Sequence, residues 1–262
     1  MTNEIYLVRL SAKFGTREAE SMLRILATKQ YDNPTLEGII HRLEKDEPLQ
    51  YILQEAWFYG YPFFVDERVL IPRPETEELV YLMLQDIDNQ QNTSILDIGT
   101  GSGCIPISLA LKALNTTVTG LDVSADALVV AQQNAATLGV NIRFVAQDIL
   151  DESLWHQLDT YEIIVSNPPY IPPSEMSLMS ANVLDYEPHL ALFVAEDNPL
   201  IFYKKIADFA KQHLSPNGKL YFECNEYNAA ELQTYLSQHG YCDVQLLKDM
   251  EGKERMIRGI LE

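Results

Sequence analysis

Ala19, Met22, Leu23 and Leu26 recur at i, i+3, i+4 and i+7, which predicts one apolar stripe on a helix over 16–29. Leu36, Ile39, Ile40 and Leu43 repeat the spacing over 35–45, and Asn33-Pro34 breaks the chain between the two. Two or three short helices with such narrow stripes bury little alone. They are expected to lean on a larger body or to serve as a docking arm. Over 50–65 the pattern turns aromatic and β-like: Tyr51, Trp57, Phe58, Tyr59, Tyr61, Phe63 and Phe64 crowd around Gly60 and Pro62, as in a hairpin. Ile71-Pro72-Arg73-Pro74-Glu75 follows as an extended segment stiffened by two prolines. A helix over 76–87 comes next, with Glu75, Glu77 and Glu78 at its start, where the helix dipole favours acids.

Beyond Thr93 the rhythm is strand, turn, helix. Strands are predicted over 94–98, 118–122, 142–146, 162–166, 219–224, 244–247 and 256–260. Helices fall after Gly103, over Ala125–Leu138 with Gly139 as a C-cap, over 200–213, and over Ala229–Gln238. Strands alternating with helices of this length imply an α/β fold with a mostly parallel sheet covered on both faces. The expected division is a helical module at 1–48, a hairpin and proline-rich connector at 49–75, and the main domain at 76–262. No internal repeat or low-complexity linker interrupts it.

Bulk properties narrow the function. No apolar run approaches the roughly 18 residues of a bilayer span, so no membrane partner is expected. The start of the chain has no signal-peptide core, and the three cysteines (Cys104, Cys224, Cys242) have no CxxC spacing. Reduced thiols and a cytoplasmic location follow as expectations. The five histidines have no metal-ligand spacing, so no metal is expected, and the lack of a Gly-x-Ser-x-Gly elbow disfavours a hydrolase. Net charge is −19, and it is uneven: residues 1–58 carry 7 basic and 9 acidic side chains, residues 59–262 carry 12 and 29. The larger part should repel a bare phosphate backbone and attract a basic protein surface. Stable nucleic-acid binding is therefore not expected.

The first strand of the main domain runs into Leu96-Asp97-Ile98-Gly99-Thr100-Gly101-Ser102-Gly103. Glycines there let the backbone approach a ligand at the carboxyl end of a strand. The G-x-G-x-G spacing is not the G-x-G-x-x-G that seats a pyrophosphate, and the Lys-Ser/Thr of a phosphate loop is missing. An adenosine-bearing cofactor without phosphate suits such a loop, and S-adenosylmethionine is the common one. Asp122 ends the second strand and is placed to accept the ribose hydroxyls; Asp148, after the third, can receive the adenine amino group. Asp97 is a candidate for positioning the loop or an ammonium group, and Val123 and Ile149 flank the two strand-end acids as apolar cofactor contacts.

The fourth strand ends in Asn167-Pro168-Pro169-Tyr170. Two prolines stop the ladder and fix the backbone. An Asn side-chain oxygen beside the Pro168 carbonyl makes a pair of acceptors that matches the two donors of a planar NH2 group, and Tyr170 offers a face for it. An amide or exocyclic amine nitrogen is a poor nucleophile because its lone pair is delocalised. Holding both N–H bonds orients it toward a sulfonium methyl and stabilises the charge that develops. Asn167, Pro168 and Tyr170 are the candidate catalytic residues.

With these residues in place, the chain resembles the protein-(glutamine-N5) methyltransferases of the PrmC/HemK type. The likeness runs from about Glu47 onward. It rests on Phe58-Tyr59-Gly60, on Val69-Leu70-Ile71-Pro72-Arg73-Pro74-Glu75-Thr76-Glu77, on the glycine loop, on Val165 through Pro172, and on Glu187-Pro188. The Ile-Pro-Arg-Pro-Glu-Thr-Glu string discriminates this branch from nucleic-acid enzymes that share the Asn-Pro-Pro-Tyr element. The resemblance implies a Rossmann-like class I methyltransferase with a seven-stranded sheet. It implies S-adenosylmethionine as cofactor, and as substrate the glutamine of a Gly-Gly-Gln loop in class 1 peptide chain release factors, docked in part by the helical module. It puts Gly99, Thr100, Gly101, Ser102, Gly103, Asp122 and Asn167 on the cofactor. Asn167, Pro168, Pro169 and Tyr170 fall in the glutamine site, with Arg73 and Glu75 at its entrance. Ile149 stands where some relatives carry Trp, so packing replaces stacking at the adenine. A monomer is expected. The alternative is a methyltransferase for an exocyclic amine of RNA or DNA.

Overall fold

The apolar stripes of the first fifty residues wind into α1 (Thr2–Phe14), α2 (Thr16–Ala27) and α3 (Asn33–Glu44) in a computed structural model that describes residues 2–88 and 90–261. Their stripes meet in a core of their own, built on Tyr6, Leu10, Ala19, Leu26, Ile39, Ile40 and Leu43. The Asn33-Pro34 break is a helix start: Asp32 accepts the Thr35 N–H at 2.9 Å and the proline sits in the first turn, where its missing N–H costs nothing. Polar side chains help lean this module on the rest of the chain. Lys29 pairs with Glu55 at 2.9 Å, and the Tyr186 hydroxyl donates to the Lys45 carbonyl at 2.8 Å.

The β-like reading of 50–65 needs correction at its start. Residues 49–53 form a short helix, α4 (Leu49–Leu53), because Leu49 packs into the helical core and Tyr51 is buried with its hydroxyl on the Val69 carbonyl at 2.6 Å. The hairpin is β1 (Ala56–Phe58) and β2 (Tyr61–Phe63). Tyr59 and Gly60 turn it with φ of 50° and 83°, the two positive values of a tight two-residue hairpin loop. Phe58 and Phe63 point inward and meet edge to face at 6.0 Å, while Trp57 faces solvent. The aromatic cluster is thus largely core.

Helix α5 (Pro74–Asp86) begins two residues before its expected start because Pro74 takes the first turn. Two of its acids also tie it to neighbouring segments. Glu77 accepts the Tyr59 N–H at 2.8 Å, tying helix to hairpin, and Glu78 accepts the Met250 N–H at 3.1 Å.

The sheet follows the expected rhythm. Its strands are β3 (Thr93–Ile98), β4 (Thr116–Asp122), β5 (Arg143–Ala146), β6 (Tyr161–Ser166), β7 (Leu214–Glu223), β8 (Tyr241–Lys248) and β9 (Glu254–Leu261). Helices α6 (Cys104–Lys112), α7 (Ala125–Leu138), α8 (Ala181–Tyr186), α9 (Ile201–His213) and α10 (Ala229–Gln238) connect them. The order is β5-β4-β3-β6-β7-β9-β8, parallel except for β9, which runs antiparallel to both neighbours. Separate apolar cores form, one on Tyr203, Phe209 and Phe222 and the other on Leu79, Ile95 and Tyr221. Phe222 and Tyr221 are neighbours on one strand, so they point to opposite faces and both faces are covered. β7 starts five residues before expectation, as Leu214 pairs with Tyr161 ahead of a register shift. No described helix is long and apolar enough to cross a membrane.

Candidate active site

β3 and β6 lie side by side, although β4 and β5 come between them in the chain. The connections leave this pair in opposite directions and open a crevice at the carboxyl ends. Ile98, Asp122, Gln147 and Ser166, at the ends of four neighbouring parallel strands, line one hollow there. The glycine loop is hooked onto β4 by two bonds, from the Gly99 and Thr100 N–H groups to the Leu121 carbonyl at 2.8 and 3.0 Å. Gly99 and Gly101 line the hollow, whereas Thr100 and Ser102 are buried outside its wall. Gly103 has a different task. At φ 80°, a Cβ there would stand 2.9 Å from Ile107 Cδ1 and 3.2 Å from Ala131 Cβ, so glycine lets α6 pack on α7. Asn134, which no sequence pattern singles out, donates to the Ser102 carbonyl at 2.9 Å and exchanges two bonds with the Phe64 backbone.

Asp122 holds this arrangement together. One oxygen accepts the Gly101 N–H at 2.8 Å and the other the Ser124 N–H at 2.9 Å. Each oxygen keeps a second lone pair for a ligand. Burial pushes its carboxyl above the usual range, against those backbone bonds. Asp148 sits exposed at the rim, accepting the Leu150 N–H at 2.9 Å, and Val123 is exposed beside Asp122. Gln147 is buried with its Nε2 lacking a hydrogen-bond partner among the described residues. Leu70, Leu121, Ile149, Phe202 and Ile206 supply apolar wall. Arg68 is the cation among the described lining residues, and Asp66 already grips it at 2.8 and 2.5 Å.

Asp97 lies outside the wall and is fully buried, and neither of its oxygens has a hydrogen-bond partner among the described residues. Burial lifts its carboxyl to about 7, with the charge of Asp122 adding to the rise. Carboxyls lifted this way lose their protons readily beside a positive charge, so the centre suits a cationic ligand with flat apolar surface and no phosphate.

β6 ends at Ser166, whose hydroxyl donates to the Ile98 carbonyl at 2.6 Å, and the Asn-Pro-Pro-Tyr turn leaves from there. Asn167, Pro168 and Pro169 line the first hollow. Asn167, Pro168 and Tyr170 line a second one with Leu70, Arg73 and Glu223. Asn167 Nδ2 donates to Thr76 Oγ1 at 3.3 Å, and the Thr76 hydroxyl donates to Glu223 Oε2 at 2.6 Å. The Tyr170 hydroxyl reaches Glu223 Oε1 at 3.5 Å. Glu223 is buried at the end of β7, and burial lifts its carboxyl to about 7 against the pull of Thr76 and Arg255. Burial also raises the Tyr170 phenol, keeping it neutral.

The two remaining substrate candidates part company. Arg73 lines the second hollow, but its guanidinium is bound to Glu187 Oε1 at 2.6 Å, and Glu187 Oε2 accepts the Ile71 N–H at 3.1 Å. Glu75 lines neither hollow; its charge is felt at Glu223. The Glu187–Arg73 pair fixes the loop that brings Pro188, Leu190 and Ala191 to the first hollow. Sequence patterns give Phe202 and Ile206 no signal of a site, because at i, i+4 on α9 they read as core. Thr76 and Glu223 are visible in the sequence only as motif positions without a task.

Comparisons with known proteins agree with this geometry. Residues 78–184 match the family model of the methyltransferase small domain. A release factor glutamine methyltransferase of Flavobacterium psychrophilum is 47% identical over 225 residues, which cover 85% of this chain and 78% of that protein. A release factor glutamine methyltransferase of Leptospira interrogans is 39% identical over 266 residues, covering 97% and 91%. Among solved structures, a methyltransferase from Pyrococcus furiosus superposes with a TM-score of 0.55 at 20% identity, over 77% of this chain and 89% of that one. A 16S rRNA N2 methyltransferase of T. Thermophilus, in complex with AdoMet and guanosine, gives 0.56 at 16% identity, over 79% and 50%. At those identities the likeness is one of fold. Over most of its length, the chain belongs to the release factor glutamine methyltransferase family.

Proposed function

We propose that the chain transfers a methyl group from S-adenosylmethionine to the side-chain amide nitrogen (N5) of the glutamine in the Gly-Gly-Gln loop of class 1 peptide chain release factors. One observation carries the reading: Asn167 and Pro168 border both hollows, so a single turn faces a methyl donor on one side and an amide on the other. Relatives at 47% and 46% identity are named for this activity.

The first hollow fits S-adenosylmethionine by its chemistry. Spare lone pairs on Asp122 suit the ribose hydroxyls, Gln147 and Asp148 offer polar atoms to the adenine edge, and Leu121 and Ile149 suit its faces. Asp97, buried behind the glycine loop without a cation beside it, ionises more easily when the ligand carries positive charge. When bound, the cofactor supplies an electrophilic methyl on a sulfonium. Everything else falls to the chain. Asn167 Oδ1 and the Pro168 carbonyl accept the two N–H bonds of the substrate amide, and Tyr170 lies against its plane. Two fixed acceptors orient the nitrogen and stabilise the positive charge that grows on it as the carbon–nitrogen bond forms and the methyl's bond to sulfur breaks, and one of the two held protons is then lost to water. The same reading places the protein in the cytoplasm as a monomer, with its helical module meeting the release factor.

The test is methyl transfer to purified release factor, read by the mass of the loop peptide. A gain of one methyl group is expected on the natural loop and none on a Gln-to-Ala loop variant. Equal labelling of that variant would discard the reading, and labelling of an RNA or DNA amine in its place would favour the alternative.

A further inference from the structure

We propose that Thr76 and Glu223 are positioning residues, a two-step relay that decides which end of the Asn167 amide faces the substrate. This rests on the function proposed above and adds what holds its acceptor in place. A primary amide is nearly symmetric in shape: rotated by half a turn about its last bond, Asn167 would present NH2 donors where the reaction needs an oxygen. Nothing in the Asn-Pro-Pro-Tyr string forbids that rotation. The neighbouring bonds do.

The Thr76 hydroxyl has one proton, and it is committed to the Glu223 carboxylate at 2.6 Å. Its oxygen must then accept from whatever lies on its other side, and Asn167 Nδ2 lies there at 3.3 Å. Donation runs from Asn167 to Thr76 to Glu223, which leaves Asn167 Oδ1 free to accept. Glu223 also accepts from Tyr170 through its other oxygen, so both ends of the turn are tied to one buried carboxylate. The direction of the relay depends on that charge. A protonated Glu223 can donate to Thr76, Thr76 can then donate onward, and the favoured partner becomes the Asn167 oxygen. The amide turns over and the acceptor pair is lost.

Among the described residues, the groups facing Glu223 include Arg73 across the second hollow, Glu75 from α5, Cys104 from α6, Tyr170 from the turn, Tyr203 from α9, its neighbour Cys224, and Arg255 from β9. Burial raises Glu223 and Glu75 adds to the rise, while the hydrogen bonds of Thr76 and Asn167 and the charge of Arg255 oppose it, leaving its carboxyl at about 7. Turnover should therefore be full above that pH and decline as pH falls through it.

Thr76→Val removes the hydroxyl at constant shape, and Thr76→Ser restores it. The valine variant is expected to lose roughly tenfold or more in kcat on the release factor, with S-adenosylmethionine affinity, measured by calorimetry, within about threefold of the parent. The serine variant should recover most of the loss. Glu223→Gln should lower kcat and abolish the decline on the acid side, because the charge that sets the direction is gone. A readout independent of substrate is the Asn167 side-chain amide followed by NMR. It should titrate in the parent with the midpoint of the acid limb, and stay constant in Glu223→Gln. Parent-level kcat in Thr76→Val, loss in Thr76→Ser equal to that in valine, or an acid limb that persists in Glu223→Gln would each overturn the relay. A parent enzyme silent on release factor would sink the proposed substrate instead, and the NMR titration would still judge the relay.

Discussion

In the proposed function, Asn167 serves the reaction and Asp122 the binding of the methyl donor. Asn167 sits on the wall common to both hollows, with its nitrogen end occupied by Thr76. Asn167→Ala removes an acceptor that matters most when charge develops, so kcat is expected to fall on the order of 100-fold, as for loss of one oriented transition-state partner. Cofactor affinity should change far less, and single-turnover kinetics beside calorimetry separates the two. A variant that turned over at the parent rate would remove the amide clamp. Asp122 faces the first hollow while it anchors the Gly101 and Ser124 N–H groups. Its replacement by Ala is expected to weaken S-adenosylmethionine binding by roughly 1–3 kcal/mol through hydrogen bonds to a charged acceptor. Unchanged affinity would take Asp122 out of the site.

The glycine loop shows, one level up, that a single motif can serve two purposes. Gly101 lines the hollow at φ 51° with open space where a Cβ would stand, whereas Gly103 at φ 80° abuts Ile107 and Ala131. Both alanine substitutions meet the left-handed penalty of about 1–2 kcal/mol. Gly103→Ala should cost more than Gly101→Ala in urea denaturation, because it also forces α6 from α7. Gly101→Ala should weaken cofactor binding more. Spacing alone, G-x-G-x-G, cannot assign these roles, since both glycines are needed and only packing tells them apart. Element types were legible for local reasons: short apolar runs, the i, i+3, i+4 stripes and the Gly139 cap act within a few residues. The short helix at Leu49–Leu53 was not, because Leu49 and Tyr51 are drawn inward by two different cores that lie elsewhere in the chain.

Across the whole molecule, the folded core holds carboxyls against their preference. Asp97 is raised to about 7 by burial, from about 4 in an unfolded chain, so the folded state binds the extra proton between those values. Stability of the ligand-free protein should fall as pH rises from about 4 to about 7, the opposite of a salt-bridged carboxylate. Asp97→Asn should flatten that slope in thermal melts. A slope unchanged by the substitution would mean that Asp97 is ionised at no cost. The charge outside the core acts at longer range. Residues 59–262 carry 29 acidic and 12 basic side chains, a field that draws a basic partner surface and is screened by salt. kcat/KM on release factor is expected to drop between low and physiological ionic strength while kcat holds. A salt-independent kcat/KM would show that steering is absent.

By itself, the sequence determined the α/β alternation, the order of the strands, the main helices between them, and the two turns that border the hollows, because each depends on neighbours a few positions away. It also named Asp122, Asp148 and Asn167 as strand-end groups, since strand ends in a parallel sheet gather on one side. Tertiary structure decided what those groups face. Only folding brings Thr76 within 3.3 Å of Asn167 and 2.6 Å of Glu223, across 91 and 147 positions of chain. Only folding turns Arg73 onto Glu187 and puts α9 side chains into the ligand wall. A hydrogen bond has a direction and a partner, and neither is encoded in the spacing of a motif.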